Sequence, residues 1–276
     1  MLDGRGYSLT YAELVTFIED FGQCVPERSL IFILSTNSAP SLAAFIASIE
    51  NKIVPLVLGA DINENRLEEL ISLYKPNFIW SETNSQDEDI ETLFSCFGYS
   101  LLRSNSERIK MYDNLAFLLS TSGSTGSPKL VRHSYENLRA SVDNVATLFS
   151  LSGEERAFAV LPLQYTMGLS VACSHLFAGA TVLLSDAPMT SKEYWLFLKE
   201  QKASSFTGVP YNYEVLDKLR FFRMKLPDLK VLSQGGGKLQ ESLWAKIMTY
   251  CGTHDITFIA TYGQTEGTAR MAYLPP

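Results

Sequence analysis

The stretch LLSTSGSTGSPKLVRHSYENL, from Leu118 to Leu138, places a loop rich in hydroxyls and glycine after an apolar run and before a helical pattern. Ligand sites in α/β proteins lie in such loops, at the carboxyl ends of buried strands. Hydroxyl groups, one lysine and backbone N–H groups, which glycine allows to approach a ligand closely, can together surround a polyphosphate. The residues that offer these groups are Thr121, Ser122, Gly123, Ser124, Thr125, Gly126, Ser127 and Lys129. A flexible surface turn is the alternative interpretation of the same composition.

Three common loop templates do not describe this stretch. A Walker A loop requires Gly-Lys-Ser/Thr at its end, but Ser127 and Pro128 separate Gly126 from Lys129. The spacing G-x-G-x-x-G is absent from the stretch, and Ser122 stands where a G-x-S-x-G nucleophile turn needs glycine. The loop therefore belongs to none of these classes.

Helix and strand patterns alternate on both sides of this loop. A helical pattern over 9–25 begins beside Thr10, a plausible N-cap, and a short apolar run over 29–35 is typical of a strand buried on both faces. A polar, acidic segment over 83–93 predicts a surface excursion, and Ser134 is the predicted N-cap of the helix after the loop. The alternation predicts an α/β fold with largely parallel sheets flanked by helices.

The alternation restarts after an acidic turn near residue 152, which divides the predicted fold into two subdomains, 1–152 and 153–276. A length of 276 residues accommodates two such units. The loop over 120–129 lies in the first subdomain. No internal repeat or low-complexity tract interrupts either half.

Composition excludes several classes of function. The net charge of −7 does not supply the basic face that nucleic-acid binding requires. The four cysteines lie far apart without a CxxC pair, which favours reduced structural thiols over a disulfide or metal framework. No signal peptide or membrane span is apparent, so we expect a cytoplasmic protein.

The order of residues in STSGSTGSPK (120–129) resembles the phosphate-binding loop of the adenylate-forming, or AMP-binding, enzymes. This superfamily includes acyl-CoA synthetases, aryl acid ligases, luciferases and peptide-synthetase adenylation domains. Further segments resemble its motifs in the same order: LTYAEL (9–14), IVPLVLGADINENRLEELISLYKPNFIW (53–80), LPLQYTMGL (161–169), LKVLSQGGGKL (229–239) and ATYGQTEGTARM (260–271). An unrelated phosphate-binding α/β protein, the alternative, would carry the last motif only by chance.

The resemblance implies an AMP-forming acid ligase that uses ATP and Mg²⁺. A carboxylic acid attacks the α-phosphate, and the products are an acyl-adenylate and pyrophosphate. Thr121 to Gly126 and Lys129 would then hold the β- and γ-phosphates, while Gly235, Gly236 and Gly237 would line the adenine. In the motif over 260–271, Tyr262 would stack on the adenine, Thr265 would contact the α-phosphate and Glu266 would hold Mg²⁺, with Gly263 and Gln264 among the ATP-binding residues. The implied catalytic residues are Thr265, Glu266 and Lys129.

The implied acyl pocket involves two further segments, with residues Gln164, Tyr165, Met167, Gly168, Gly208, Val209 and Pro210. Many family members carry His at the position of Tyr165, so this chain departs from that pattern. The segment LPLQYTMGLS (161–170) holds no Asp to pair with a substrate amine, which favours an uncharged acyl or aryl acid. His133, beside the phosphate loop, is interpreted as structural.

The family continues beyond the motif that ends this sequence. Its ribose-binding Asp, hinge and C-terminal domain with a catalytic Lys have no counterpart here, so the chain is interpreted as a truncated N-terminal part, inactive or weakly active alone. Coenzyme A, or a carrier protein with its phosphopantetheine, is the implied acceptor. A non-catalytic nucleotide-binding or interaction module and an adenylation domain of a carrier-protein system remain alternatives.

Overall fold

The computed structural model describes residues 1–82, 91–104, 106–121 and 129–274. Contacts divide the chain into two compact units, which are described separately. The N-terminal unit comprises Tyr7–Leu138 with Pro162–Tyr165, and the C-terminal unit comprises Met1–Gly6, Arg139–Leu161 and Thr166–Pro276. Most of the phosphate loop predicted from the sequence, Ser122–Pro128, lies outside the described residues.

The first half of the chain contributes eight strands and three helices among its described residues. The strands are β1 (Leu2–Asp3), β2 (Leu30–Ser35), β3 (Val54–Gly59), β4 (Phe78–Glu82), β5 (Thr92–Cys96), β6 (Tyr99–Arg103), β7 (Leu115–Ser120) and β8 (Leu130–Ser134). The helices are α1 (Tyr11–Cys24), α2 (Ala39–Glu50) and α3 (Glu64–Tyr74). All but β1 belong to the N-terminal unit.

The second half alternates more regularly. Its helices are α4 (Tyr135–Leu148), α5 (Thr166–Phe177), α6 (Lys192–Glu200), α7 (Pro210–Lys218) and α8 (Glu241–His254). Its strands are β9 (Arg156–Ala159), β10 (Thr181–Leu184), β11 (Ser205–Gly208), β12 (Val231–Gln234), β13 (Thr257–Tyr262) and β14 (Ala272–Leu274). Short 3₁₀ turns span Phe221–Arg223 and Thr265–Gly267.

The sheet of the N-terminal unit has the order β5-β6-β4-β2-β3-β7-β8. Its centre, β4-β2-β3-β7, is parallel, and β2 and β3 are buried on both faces, as their continuous apolar runs predict. The outer strands β5, β6 and β8 run antiparallel. The predicted start of helix α1 is confirmed, because Thr10 and Glu13 form a reciprocal capping box.

Two sequence predictions for this unit are wrong. The loop after β7 leads into the antiparallel strand β8 and not directly into a helix, so it joins two paired strands. The segment over 83–93 is not wholly a surface excursion, because Thr92 already begins β5, which pairs with β6. The strands β5 and β8 are short and partly polar, so their sequences lack the alternating or continuous apolar pattern that would distinguish a strand from a loop.

The sheet of the C-terminal unit has the order β1-β10-β9-β11-β12-β13-β14. Every pair is parallel except β13 with β14. Large side chains from the strands and from helices α6, α7 and α8 form one core, including Phe158, Tyr194, Tyr213 and Phe258. The predicted α/β class, with two sheets and flanking helices, is confirmed. The sheet of the C-terminal unit is largely parallel, as predicted, whereas the sheet of the N-terminal unit is mixed, with three parallel and three antiparallel pairs.

The division between the units falls at Leu138/Arg139, before the predicted boundary near residue 152. The reason lies in helix α4, whose later turns pack within the C-terminal unit. The Arg139 guanidinium lies 4.7 Å from the centre of the Phe177 ring on α5. Arg139 and the residues that follow it therefore belong to the C-terminal unit. Among the described residues, no helix combines the length and apolar character needed to cross a membrane.

Candidate nucleotide and acid site

Three connections of the C-terminal unit meet at one edge of its sheet. They follow the adjacent parallel strands β11, β12 and β13, so their carboxyl ends share that edge. They contain Gly208–Pro210, Gly235–Gly237 and Tyr262–Glu266, all predicted site segments. The structure therefore places the residues predicted for the adenine and Mg²⁺, and part of those predicted for the acyl group, at one edge of this unit's sheet.

The glycine loop, Gly235–Gly237, is tied to both neighbouring strands. The Gly235 N–H donates to the carbonyl of Gly208, 3.2 Å away, which extends the β11–β12 ladder by one bond. On the other side, the Thr261 hydroxyl donates to the carbonyl of Gln234 over 3.0 Å. The loop thus begins at a position set by the sheet.

The side chain of Gln234 holds the glycine loop through two hydrogen bonds. Its Nε2 donates to the carbonyl oxygens of Gly235 (2.9 Å) and Gly237 (2.7 Å). Gln234 is 4% exposed, and its bond to Gly235 is buried while the bond to exposed Gly237 is partly buried. Unpaired polar groups are costly in such a position, which makes the arrangement well determined.

Two of the loop positions have little room for a side chain, and one of them also has a left-handed backbone. Gly236 has φ of +78°, in the left-handed region, and a Cβ there would lie 3.1 Å from Val209 Cγ1. A Cβ on Gly237 would lie 3.1 Å from Pro210 Cγ. The glycine loop therefore packs directly against the connection after β11.

The predicted acyl-pocket residues of this unit also touch the glycine loop. The Met167 methyl group, at the start of α5, occupies the space that a Cβ on Gly235 would need, and the next residue, Gly168, is buried. A Cβ on Gly208 would lie 2.9 Å from the Phe206 ring. Met167, Val209, Pro210 and Gly208 form an uncharged surface at the loop.

The Tyr262–Glu266 segment leaves the same edge. The Tyr262 side chain is 63% exposed, so its ring has a free face for a flat ligand. A Cβ on Gly263 would press on the backbone of Ala269 and Arg270, which holds the segment in a tight return. Gln264 and Glu266 are exposed, and Thr265 is half-buried, at the 3₁₀ turn.

Glu266 is the carboxylate available to a metal at this turn. No group of three or more His, Cys, Asp or Glu side chains suited to a metal occurs in the part of the chain that the structure describes. Mg²⁺ is commonly bound by one or two carboxylates with substrate phosphates and water. A single exposed Glu266 fits that mode of binding.

The ends of the predicted phosphate loop lie in the N-terminal unit. The Thr121 N–H donates to the Lys129 carbonyl over 3.2 Å, which closes the base of the loop next to the β7–β8 pair. Lys129 is exposed. Of the predicted phosphate ligands, Ser122, Gly123, Ser124, Thr125 and Gly126 lie outside the described residues.

The remaining two predicted pocket residues, Gln164 and Tyr165, also fall in the N-terminal unit. The Gln164 amide and the Asp61 carboxylate together occupy the space that a Cβ on Gly59 would need, at the carboxyl end of β3. Tyr165 is 55% exposed. The single predicted segment 164–168 is therefore shared by two structural units.

Two buried titratable side chains of the C-terminal unit, Arg270 and His175, have shifted pKa values. Burial lowers the pKa of Arg270 to about 10, and its guanidinium lies 4.8 Å from the centre of the Phe149 ring. Burial also lowers the pKa of His175 to about 4. His175 Nδ1 contacts the Val171 carbonyl over 2.8 Å, so this neutral imidazole carries its proton on Nδ1.

Sequence reasoning missed two residues that organise this site, Gln234 and Thr261. Both stand inside motifs that were used, but neither residue type signals a role by itself. Their contacts arise only when β12 and β13 lie side by side. The run of three glycines that follows Gln234 was the one signal available in the sequence.

The family follows from comparison with known proteins. The family model for AMP-binding enzyme matches residues 1–276, and the chain belongs to that family. It is 26% identical over 288 residues to oxalate–CoA ligase of Arabidopsis thaliana, covering 99% of this chain and 52% of that protein. It is 28% identical over 164 residues to feruloyl-CoA synthase of an Amycolatopsis species, covering 59% of this chain and 32% of that protein.

Solved structures show the same fold. VinN superimposes with a TM-score of 0.80 at 19% identity, covering 100% of this chain and 73% of VinN. The anthranilate CoA ligase AuaEII, solved with anthranoyl-AMP, gives a TM-score of 0.82 at 15% identity over 100% of this chain and 57% of AuaEII. The chain thus spans about half the length of oxalate–CoA ligase and a smaller share of feruloyl-CoA synthase.

Proposed function

We propose that this chain is the ATP- and carboxylate-binding part of an AMP-forming acid ligase. The acid's carboxylate oxygen attacks the α-phosphorus of ATP, and the bond to the β-phosphate breaks as pyrophosphate leaves with its electron pair. The convergence of the segments after β11, β12 and β13, with exposed Tyr262 beside the glycine loop, carries the proposal.

Each group has a physical task in this reaction. Adenine lies on the glycine loop and against the free face of Tyr262, since a surface without side chains admits a flat base. Thr265 contacts the α-phosphate. Lys129 and the loop 121–126 hold the β- and γ-phosphates, where charge accumulates as pyrophosphate departs. Glu266 would hold Mg²⁺, which neutralises the phosphates when bound.

An uncharged acyl or aryl acid is the proposed substrate class. The residues of the C-terminal unit proposed for the acyl pocket, Met167, Gly168, Gly208, Val209 and Pro210, carry no charge to pair with a substrate amine. The names of the matched relatives, oxalate–CoA ligase and feruloyl-CoA synthase, agree with acid activation for transfer to coenzyme A. Thioester formation is therefore the proposed outcome of the whole protein.

The test is carboxylate-dependent exchange of pyrophosphate into ATP in the presence of Mg²⁺. The 276-residue chain and a version extended at its C-terminus are assayed with a panel of acyl, aryl and amino acids. We expect exchange with acyl or aryl acids by the extended protein and weak or no exchange by the shorter chain. Exchange driven only by amino acids would overturn the substrate class, and no nucleotide binding by either version would overturn the function.

A further inference from the structure

We infer that Gln234 is the positioning residue that shapes the glycine loop into a purine-binding surface. This inference deepens the proposed function and rests on it. Gln234 precedes the loop and is almost fully buried. Its effect on the nucleotide would pass through the backbone of Gly235–Gly237.

The two hydrogen bonds of Gln234 define which way the loop's peptide groups face. Carbonyl oxygens can only accept, so the Gln234 amide must present its NH₂ group to Gly235 and Gly237. One nitrogen with two N–H bonds serves both carbonyls. The two carbonyl oxygens therefore point toward the buried amide.

The direction of the N–H groups in the same peptides follows from the planarity of the peptide bond. The described chain contains no cis peptide bond, and in a trans peptide the N–H of the next residue points away from the carbonyl. With the carbonyls of Gly235 and Gly237 directed at Gln234, the N–H groups of Gly236 and Lys238 are directed away from it. Ring nitrogens of a purine are acceptors that suit such donors.

The loop cannot reach this arrangement by its own preferences. Three consecutive glycines have more accessible backbone conformations than any other tripeptide, so an isolated loop would sample many peptide orientations. Val209 and Pro210 restrict where the chain can go, but proline has no N–H and the Val209 N–H donates to Asn212 Oδ1. The buried amide selects one orientation, and pre-organisation of this kind raises affinity for the base.

The experiment compares Gln234→Met with the wild-type chain. Methionine keeps the length and volume of glutamine but has no N–H to donate. The matched control is Gln240→Met, the same change at an exposed residue just before helix α8. Equilibrium dialysis measures the affinities for ATP and for inorganic tripolyphosphate, and thermal unfolding checks that each variant is folded.

We expect Gln234→Met to weaken ATP binding about tenfold, the effect of losing buried hydrogen bonds, and to leave tripolyphosphate binding unchanged. Discrimination between ATP and GTP should fall as well, because the base is the part that the loop contacts. Gln240→Met should behave as wild type in every assay.

Unchanged ATP affinity and base preference in a folded Gln234→Met protein would overturn the inference while leaving the proposed function intact. An equal loss of ATP and tripolyphosphate binding would also overturn it, because a general loss of structure does not single out the base. If wild type binds neither ligand, the proposed function itself fails.

Discussion

Phe117 on β7 and His133 on β8 are register partners whose rings stack face to face, with centroids 4.4 Å apart and planes 7° apart. His133 is 2% exposed, and its Nδ1 lies 3.4 Å from Asn137 Oδ1. The stacked pair joins the two strands that carry the ends of the predicted phosphate loop. Its geometry favours the structural interpretation of His133 over a chemical one.

Replacement of His133 by phenylalanine should therefore preserve the protein, because the ring stack survives. His133→Ala removes a buried ring from the β7–β8 pair and should lower the free energy of unfolding by about 3 kcal/mol. Denaturant unfolding measures both variants, and ATP dialysis shows whether the loop is affected. A folded His133→Phe protein that loses pyrophosphate exchange would instead point to imidazole chemistry.

Lys129 is exposed at the base of the predicted phosphate loop and supplies its one cation. Lys129→Ala should weaken binding of ATP and of tripolyphosphate about tenfold each, since one charge-assisted contact to phosphate is lost. Both losses should diminish at high salt. Lys110→Ala, a matched change at another exposed lysine of the same unit, should leave both affinities unchanged. Equal effects of the two variants would contradict a specific phosphate contact.

Gly236 has a left-handed backbone and little space for a Cβ beside Val209. Gly236→Ala should lower the free energy of unfolding by about 1–2 kcal/mol, because alanine is strained there. Gly252 lies exposed in helix α8 with open space around it, so Gly252→Ala should raise stability by about 0.5–1 kcal/mol. Denaturant melts of both variants check the opposite signs. A neutral Gly236→Ala would mean that the loop adopts another conformation.

The buried imidazole of His175 should make stability depend on pH. Its pKa of about 4 in the folded chain lies below the ordinary value of 6.5, because burial disfavours the charged form and nearby Arg270 opposes it further. Between pH 6.5 and 4 the unfolded state binds a proton that the folded state does not. Stability from this residue is thus complete above pH 6.5 and declines as pH falls, by about 3 kcal/mol at pH 4.

The matched test is the difference in unfolding free energy between wild type and His175→Phe across that pH range. Phenylalanine does not titrate, so the variant should become relatively more stable as pH falls. The hydrogen bond to the Val171 carbonyl and the attraction of Glu155, which both favour the charged imidazole, are included in the pKa of about 4. His254→Gln, at an exposed histidine of α8, serves as the control. A pH-independent difference for His175→Phe would show that the imidazole is accessible to protons when folded.

Much of the fold could be predicted from the sequence because its elements are locally determined. Thr10 and Glu13 mark the start of α1 through contacts only three residues apart. The strands β2 and β3 can be predicted from their nearly continuous apolar runs, which are typical of strands buried on both faces. The motifs at 120–129 and 260–271 likewise indicated the AMP-binding family without any knowledge of the fold.

The tertiary structure decided what depends on distant pairing. The strand β8 exists because it pairs with β7, and residues 164–168 are divided between units although the sequence there reads as one segment. The Gln234 carbonyl accepts a hydrogen bond from Thr261 on the neighbouring strand, and its side-chain amide donates to the Gly237 carbonyl across the turn of the glycine loop. Local patterns encode burial and capping, since these involve near neighbours. Hydrogen bonds between separate connections depend on which strands lie side by side, and that is a property of the whole sheet.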